Sequence, residues 1–446
     1  MTSILSKLAD IIQQIQTRPF TEYEKNEMKN AILDRIGCGL GAQRLAFGQE
    51  ISSYIQQNPC EGSSIIWGTG KRTQAHLAAL INGASSSHLE YDSHDSMIPA
   101  TIALGEELSS SGESILRSLK IGYYTGETLK KLLASSIEKR GLHWPAYISA
   151  FISSAACSNL LDLTREETAN AIGIAATLTP STPFESFTRG ATVKDLYGGW
   201  GNMLGIQSAQ LSKLGLTAPD SVFEGKRGVF RNWLEVPPDA KTLSNAFNLD
   251  DVKIMFHIKP FPCCTSAHPT LTALERLLKE NPHLDPDDIE KVEVDTYRFG
   301  VDLSNESDPE TPIGAKLNIP FLASSMLIYR QLLPEHSEKP WIHETKIRDL
   351  ANRIHVGCKS SLDEYSSRQR TAHVLLALKN GEQFESHSKN SRWSETRPTW
   401  AEICEKFRTN VGSLFPLSQI EQIITKVDNL DQIKDICELT KLLSPE

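Results

Sequence analysis

What this chain lacks narrows it quickly. No run of 18 or more apolar residues occurs anywhere in its 446 residues, so the signature of a membrane-spanning helix is missing. A secretory leader would carry a continuous apolar core and a small-residue cleavage site. The first residues instead space Ile4, Leu5, Leu8, Ile11, Ile12 and Ile15 at helical intervals around Asp10. We therefore expect a cytoplasmic protein. Positive charge is in deficit, with a formal net charge of −9, which argues against a broad nucleic-acid surface. A local basic pocket for a small anion stays open. The eight cysteines are scattered without a Cys-x-x-Cys pair, which fits reduced thiols better than a disulfide scaffold. Cys263 and Cys264 are adjacent, poor spacing for two ligands of one tetrahedral zinc. There is no Walker A sequence, no Gly-x-Ser-x-Gly elbow and no helical His-Glu-x-x-His pair. Gly199-x-Gly201-x-x-x-Gly205 departs from the dinucleotide fingerprint, and no clear strand precedes it.

What is there reads first as helices. The length allows two domains and a large core. Met28, Ile32, Leu33 and Ile36 share one face of a helix over 22–40. Thr164 and Glu167 form a capping-box pattern ahead of Ala169, Ile172 and Ala175, and Ser110 with Glu113 repeats it ahead of Ile115, Leu116 and Leu119. The character changes near residue 258. Lys291 to Tyr297 alternates strictly and predicts a strand. Residues 372–378 and 383–385 flank Asn380-Gly381, a hairpin signal. Helices fit 316–332 and 344–353, and the pattern is helical again from Pro398. The expected fold is mainly α with an α+β insertion. A large all-α helical domain (1–258 and 396–446) would carry a smaller α+β lid domain (259–395).

The segments able to carry chemistry are few. Leu89-Glu90-Tyr91-Asp92-Ser93-His94-Asp95 crowds charge between two apolar helices, which is costly unless each group has a partner or a task. His143 precedes the helix opened by Trp144 and Pro145, where the positive dipole end favours neutral imidazole; Tyr147 lies one turn further on. Arg189 and Lys194 stand beside a glycine-rich helix start at 198–201, where glycine lets a backbone or a ligand come close. Lys259 and His268 bracket Pro260-Phe261-Pro262-Cys263-Cys264 at the expected domain junction, a common place for small-molecule sites. One rival reading is a metal-dependent hydrolase: His88, Glu90, Asp92 and His94 alternate, and on an extended segment would share one face. Another is a helical scaffold without catalysis.

Taken together, these segments resemble the MmgE/PrpD family of polycarboxylate enzymes. The resemblance rests on Asn82-Gly83 leading to Glu90-Tyr91-Asp92, on Gly141-Leu142-His143, and on Lys194 followed by Gly199. It continues through Phe223-Glu224-Gly225, Gly228-Val229-Phe230, Lys259-Pro260-Phe261-Pro262-Cys263, His268 and Ala315 to Phe321. It implies a helical domain with a lid and a cleft for a small polycarboxylate. It also implies no organic cofactor and, by the family's habit, a homodimer; no metal is expected. There are departures. Ser93 replaces the second acid after the aromatic residue, and the loop is shorter, with His94 near the place of the family histidine. Tyr197 and Trp200 stand where dehydratase-type members tend to have histidine and arginine, and Phe321 where tyrosine is common. With those donors gone, the sequence looks most like iminodisuccinate epimerase. The expected reaction is inversion of a carbon α to a carboxylate in an amino-linked dicarboxylic acid, with a hydro-lyase or decarboxylase of a citrate- or aconitate-like substrate as the alternative.

In that scheme Lys194, Lys259 and Arg189 neutralise carboxylates. His143, His268 and Tyr147 are the expected proton-transfer groups, Asp92 orients a histidine or acts as base, and His94 joins the catalytic set. A lysine at a helix start gains nothing from the dipole, so its charge calls for an anion: Asp195, Asp92 or a substrate carboxylate.

Overall fold

The computed structural model describes residues 3–92, 97–180, 182–234, 237–250, 252–306, 309–358 and 370–445. Helices dominate the first half: α1 (Ile4–Thr17), α2 (Glu22–Ala42), α3 (Ala46–Gln57), α4 (Ala75–His88), α5 (Ile98–Glu107), α6 (Gly112–Lys139), α7 (Trp144–Leu160), α8 (Arg165–Leu178) and α9 (Leu196–Lys213). Caps set several of these starts. At α8 the Thr164 hydroxyl accepts from the Glu167 amide while the Glu167 carboxylate accepts from the Thr164 amide, as its sequence pattern predicts. At α6 the capping residue is one place later than expected: Ser111 Oγ, not Ser110, accepts from the Ser114 amide. Ser64–Ile65 pairs antiparallel with Arg72–Thr73 in a short two-stranded sheet.

One large apolar core runs from Ile4 to Ile258 and resumes at Trp393, ending at Leu443. The chain therefore leaves this core and returns to it. Helices α12 (Trp400–Val411) and α13 (Leu417–Asp428) bring Ile403, Phe407, Ile420 and Ile423 into it, and both pack on α2. A second core, Phe261 to Leu378, belongs to the intervening segment. There α10 (His268–Glu280) and α11 (Ile319–Tyr329) cover one face of a four-stranded sheet. Its strands are β1 (Ile289–Thr296), β2 (Ile354–Gly357), β3 (Ala372–Leu378) and β4 (Gln383–Ser388), in the order β2-β1-β3-β4. The β1–β2 pair is parallel and the other two are antiparallel. The β3–β4 hairpin turns at Gly381, whose φ of 90° suits the Asn-Gly sequence. Alternation in β1 sends Val292 and Val294 inward and Glu293 and Asp295 outward.

The glycines at the start of α9 have a structural explanation. Gly199 lies against Gly83 of α4, and a Cβ placed on Gly83 would stand 2.6 Å from the Gly199 Cα. A Cβ on Gly199 would collide with the Leu80 carbonyl oxygen, and one on Gly201 with Ser149 of α7. Here the glycines let three helices approach; they do not clear space for a ligand. Among the described residues, no helix is long and apolar enough to cross a membrane. All eight cysteines are free thiols.

Candidate active site at the junction of the two cores

The segment after α4 is the centre of a buried ionic network. Helix α4 runs on to His88, and Glu90 then adopts a left-handed conformation, φ 50°. This breaks the extended run that would have put His88, Glu90 and Asp92 on one face. Each goes to a different cation or acid, so the metal-hydrolase reading loses its geometry. His94 lies outside the described residues.

Glu90 is held by a lysine ahead of α9 and by a lysine at the crossover between the two cores. Its carboxylate pairs with Lys194 and, at 2.8 Å, with Lys259, which also donates to the Glu90 carbonyl at 2.9 Å. Asp92 pairs with Arg35 of α2. Lys406 of α12 donates to the Tyr91 carbonyl at 2.5 Å and the Lys259 carbonyl at 3.0 Å, and pairs with Asp34 at 2.5 Å. On the other side, His88 Nδ1 meets Asp195 Oδ2 at 2.7 Å and Nε2 meets Glu338 Oε1 at 3.0 Å. Lys316 donates to that same Glu338 oxygen at 2.9 Å and to the His88 carbonyl at 2.8 Å. Every one of these side chains is buried or nearly so, where an unpaired charge would be prohibitive.

Burial shapes the protonation states. It pushes Lys194 down to about 8, with Asp195 pulling back and Lys259 adding to the fall. Lys259 is likewise lowered to about 8 by burial. For Asp195, burial works to raise the pKa, but His88, Lys194 and Lys316 outweigh it and the net shift is downward. The same contest holds Glu338 at about 2, through Lys316 and His88.

His143 caps α7 at its N-terminus, and its amide donates to the Thr182 carbonyl. The imidazole is ringed by Phe184, Phe187 and Tyr197, with centroids 5.4–5.7 Å away. Burial, with the Lys259 charge adding, lowers its pKa to about 4, so it is neutral at pH 7. Its Nδ1 is buried without a hydrogen-bond partner among the described residues, and so is the Tyr147 hydroxyl one turn along. Two such orphaned groups cost about 1–3 kcal/mol each, a cost that a ligand would remove. Lys194 lies over the Phe187 ring, 5.2 Å from its centroid, and so shares that ring with His143.

Two expected residues sit differently. His268 is fully buried in the first turn of α10, its Nε2 3.2 Å from the Cys263 carbonyl and its Nδ1 3.3 Å from Ser391 Oγ. Burial, then Lys259 and His257, hold it well below the usual histidine pKa. Arg189 is turned to solvent and pairs with Glu185 one helical turn away, both side chains about two-thirds exposed (67% and 71%). It takes no part in the buried network. The anion at Lys194 is Glu90, which was not among the partners expected for it; Asp195 stands off at 3.7 Å. The sequence reading also passed over Arg35, His88 as an ion-pair centre, Lys316, Glu338 and Lys406. Lys316 stands within the run Ala315 to Phe321, and a lysine in an otherwise apolar helix approach is the signal that marks it.

A cleft of about 770 Å³ opens between the cores; its lining includes none of the ionic network's side chains and approaches them only through chain neighbours and contact partners. Trp144 and Pro145 on its wall follow His143, His257 precedes Lys259 by two residues, and Ser391 is the partner of His268. Lys130, Lys131, Lys253 and Arg370 line it against one carboxylate, Glu127, so the cleft is electropositive on an acidic protein. His257 on the same wall is lowered to about 4 by burial and by neighbouring cations, Lys259 first.

Residues 6–240 match the MmgE/PrpD N-terminal domain and residues 261–432 the MmgE/PrpD C-terminal domain. The chain is 24% identical to a cis-aconitate decarboxylase of Aspergillus terreus, over 93% of this chain and 91% of that one. It is 24% identical to the cis-aconitate decarboxylase of Homo sapiens, over 99% and 95%. A cis-aconitate decarboxylase-like protein of Aspergillus oryzae is 22% identical, over 100% and 98%.

Proposed function

Because the chain belongs to the MmgE/PrpD family, we propose that it is a lyase that removes a carboxyl group from a small unsaturated polycarboxylate of the cis-aconitate kind. The observation that carries this reading is the pair of buried lysines, Lys194 and Lys259, brought from distant segments onto one carboxylate beside a neutral His143. A pair that holds the Glu90 carboxylate has the charge and spacing to hold a carboxylate of the substrate. The four cations of the cleft between the cores are the further groups able to meet substrate carboxylates. In the reaction one carboxylate departs as carbon dioxide, its bonding pair forms a new carbon–carbon double bond, and the displaced π pair takes a proton at a carbon next to a retained carboxylate. Lysines near 8 hold positive charge against the developing anion and lie close enough to neutrality to lend a proton. His143 Nδ1 and the Tyr147 hydroxyl, both without partners, are the groups we assign to proton transfer.

A second reading is the epimerase of an amino-linked dicarboxylic acid such as iminodisuccinate. It is favoured by Tyr197, which faces His143 where dehydratases of the family tend to have histidine. Two of the sequence departures that pointed to it have less bearing on the site. Phe321 is 1% exposed in the second core, and Trp200 is 47% exposed on α9. To separate the two, purified protein is offered cis-aconitate, and separately one enantiomer of iminodisuccinate, with no cofactor added. Carbon dioxide from the first supports the lyase. Change of optical rotation with the second, and no gas from the first, replaces it with the epimerase.

A further inference from the structure

The outer face of the sheet carries a cluster unconnected with the junction. β3 and β4 pair so that His373 lies directly opposite His387, and the next outward residue of β4 is Glu385. The two imidazoles stack, centroids 4.3 Å apart and planes 11° from parallel. One oxygen of Glu385 receives both rings: Oε1 stands 2.8 Å from His373 Nε2 and 3.0 Å from His387 Nε2. On the other side of His373, Asp295 of β1 is its cross-strand neighbour, with Oδ2 3.7 Å from Nδ1.

We propose that His373, Glu385 and His387 bind a borderline divalent transition-metal ion of the Zn²⁺ class. All three ligand atoms lie within 4.8 Å of one another. Tetrahedral zinc with bonds of about 2.0–2.1 Å sets its ligands roughly 3.3 Å apart. The two nitrogen–oxygen pairs need to spread by only a few tenths of an ångström, and the stacked rings must turn toward each other so that a shared ion lies in the plane of both. The stacked rings already aim the same nitrogen at the same oxygen, and the strand pairing fixes both backbones. Two imidazoles and one carboxylate suit zinc, and copper or nickel by the same donor preference, whereas calcium and magnesium favour all-oxygen shells. Asp295 stands where a carboxylate can hydrogen-bond the outer nitrogen of a ligating histidine, which fixes ring orientation and strengthens the ligand. The fourth position faces solvent, since the Glu385 and His387 side chains are 56% and 67% exposed. An ion here would clip the two arms of the hairpin together at the end far from its turn.

The test is calorimetric titration of Zn²⁺ into the full chain after chelation and desalting, with His387→Ala and Glu385→Gln in parallel. Because both side chains are exposed, both variants should keep the metal-free thermal midpoint of the parent. The proposal expects one saturable ion per chain at about 10 µM or tighter, weakened at least tenfold in each variant. It also expects a zinc-dependent rise in thermal midpoint that the variants lose. Binding by the parent only at millimolar zinc, or equal binding by His387→Ala and the parent, would overturn it.

Discussion

Removing Lys259 tests whether the junction is held by charge. Lys259→Met keeps the length of the buried stem and deletes the ammonium that reaches both the carboxylate and the carbonyl of Glu90. At an effective dielectric constant of about 20, unit charges 2.8 Å apart attract by about 6 kcal/mol, much of it offset by desolvation. Breaking a buried pair from one side typically costs about 3–5 kcal/mol. Glu90 keeps Lys194, so we expect the lower end, about 3 kcal/mol. Glu90→Gln should cost a similar amount, because it strips the counter-charge from both lysines. The double variant removes the mismatch at Lys259, so its cost should fall below the sum of the singles by about 2 kcal/mol. The assay is urea unfolding of the full chain at pH 7, read from the midpoint at unchanged slope. A coupling below about 0.5 kcal/mol would show that the two residues are neighbours without a working ion pair.

Three further outcomes follow from the geometry. Lys194→Met should lower turnover per folded molecule at least 100-fold, since it removes charge opposed to the developing anion, with Lys194→Arg recovering little because the buried slot fits an ammonium; near-parental turnover would make Lys194 purely structural. Activity should fall above pH 8. Both lysines have folded values near 8, below the ordinary 10.5, so carboxylate binding fades as pH passes about 8. A pH series of kcat/KM from 6 to 10 checks this, and activity flat to pH 10 would contradict it. Gly199→Ala should destabilise by about 2–3 kcal/mol, because a methyl there meets the Leu80 carbonyl oxygen of a helix that cannot retreat. A thermal midpoint within a degree of the parent would refute that packing.

Local chemistry made much of the fold legible. The Asn380-Gly381 turn, the Thr164–Glu167 box and the alternation of Val292, Glu293, Val294 and Asp295 each act over a few residues, and each forms as read. The positions of His143 and Lys194 at helix starts were legible for the same reason. Long-range pairing was not. Glu338 reaches His88 from 250 residues away and Lys406 reaches Tyr91 from 315, and no local pattern announces either. Helix α4 ending at His88, and the left-handed Glu90 beyond it, were hidden because alternation of polar residues looks the same whether the chain extends or turns. The glycines at 199 and 201 signalled close approach correctly, but sequence could not say that the approaching group is a helix backbone.

The most direct measurement of the central claim is turnover in deuterated water. Both the lyase and the epimerase readings require a solvent-derived proton delivered to a carbon beside a carboxylate. The account predicts one non-exchangeable deuterium at that carbon in product formed by the parent protein, and loss of turnover in His143→Gln and Lys194→Met at parental fold. Product formed without solvent deuterium, or formed as fast by both variants, would contradict it.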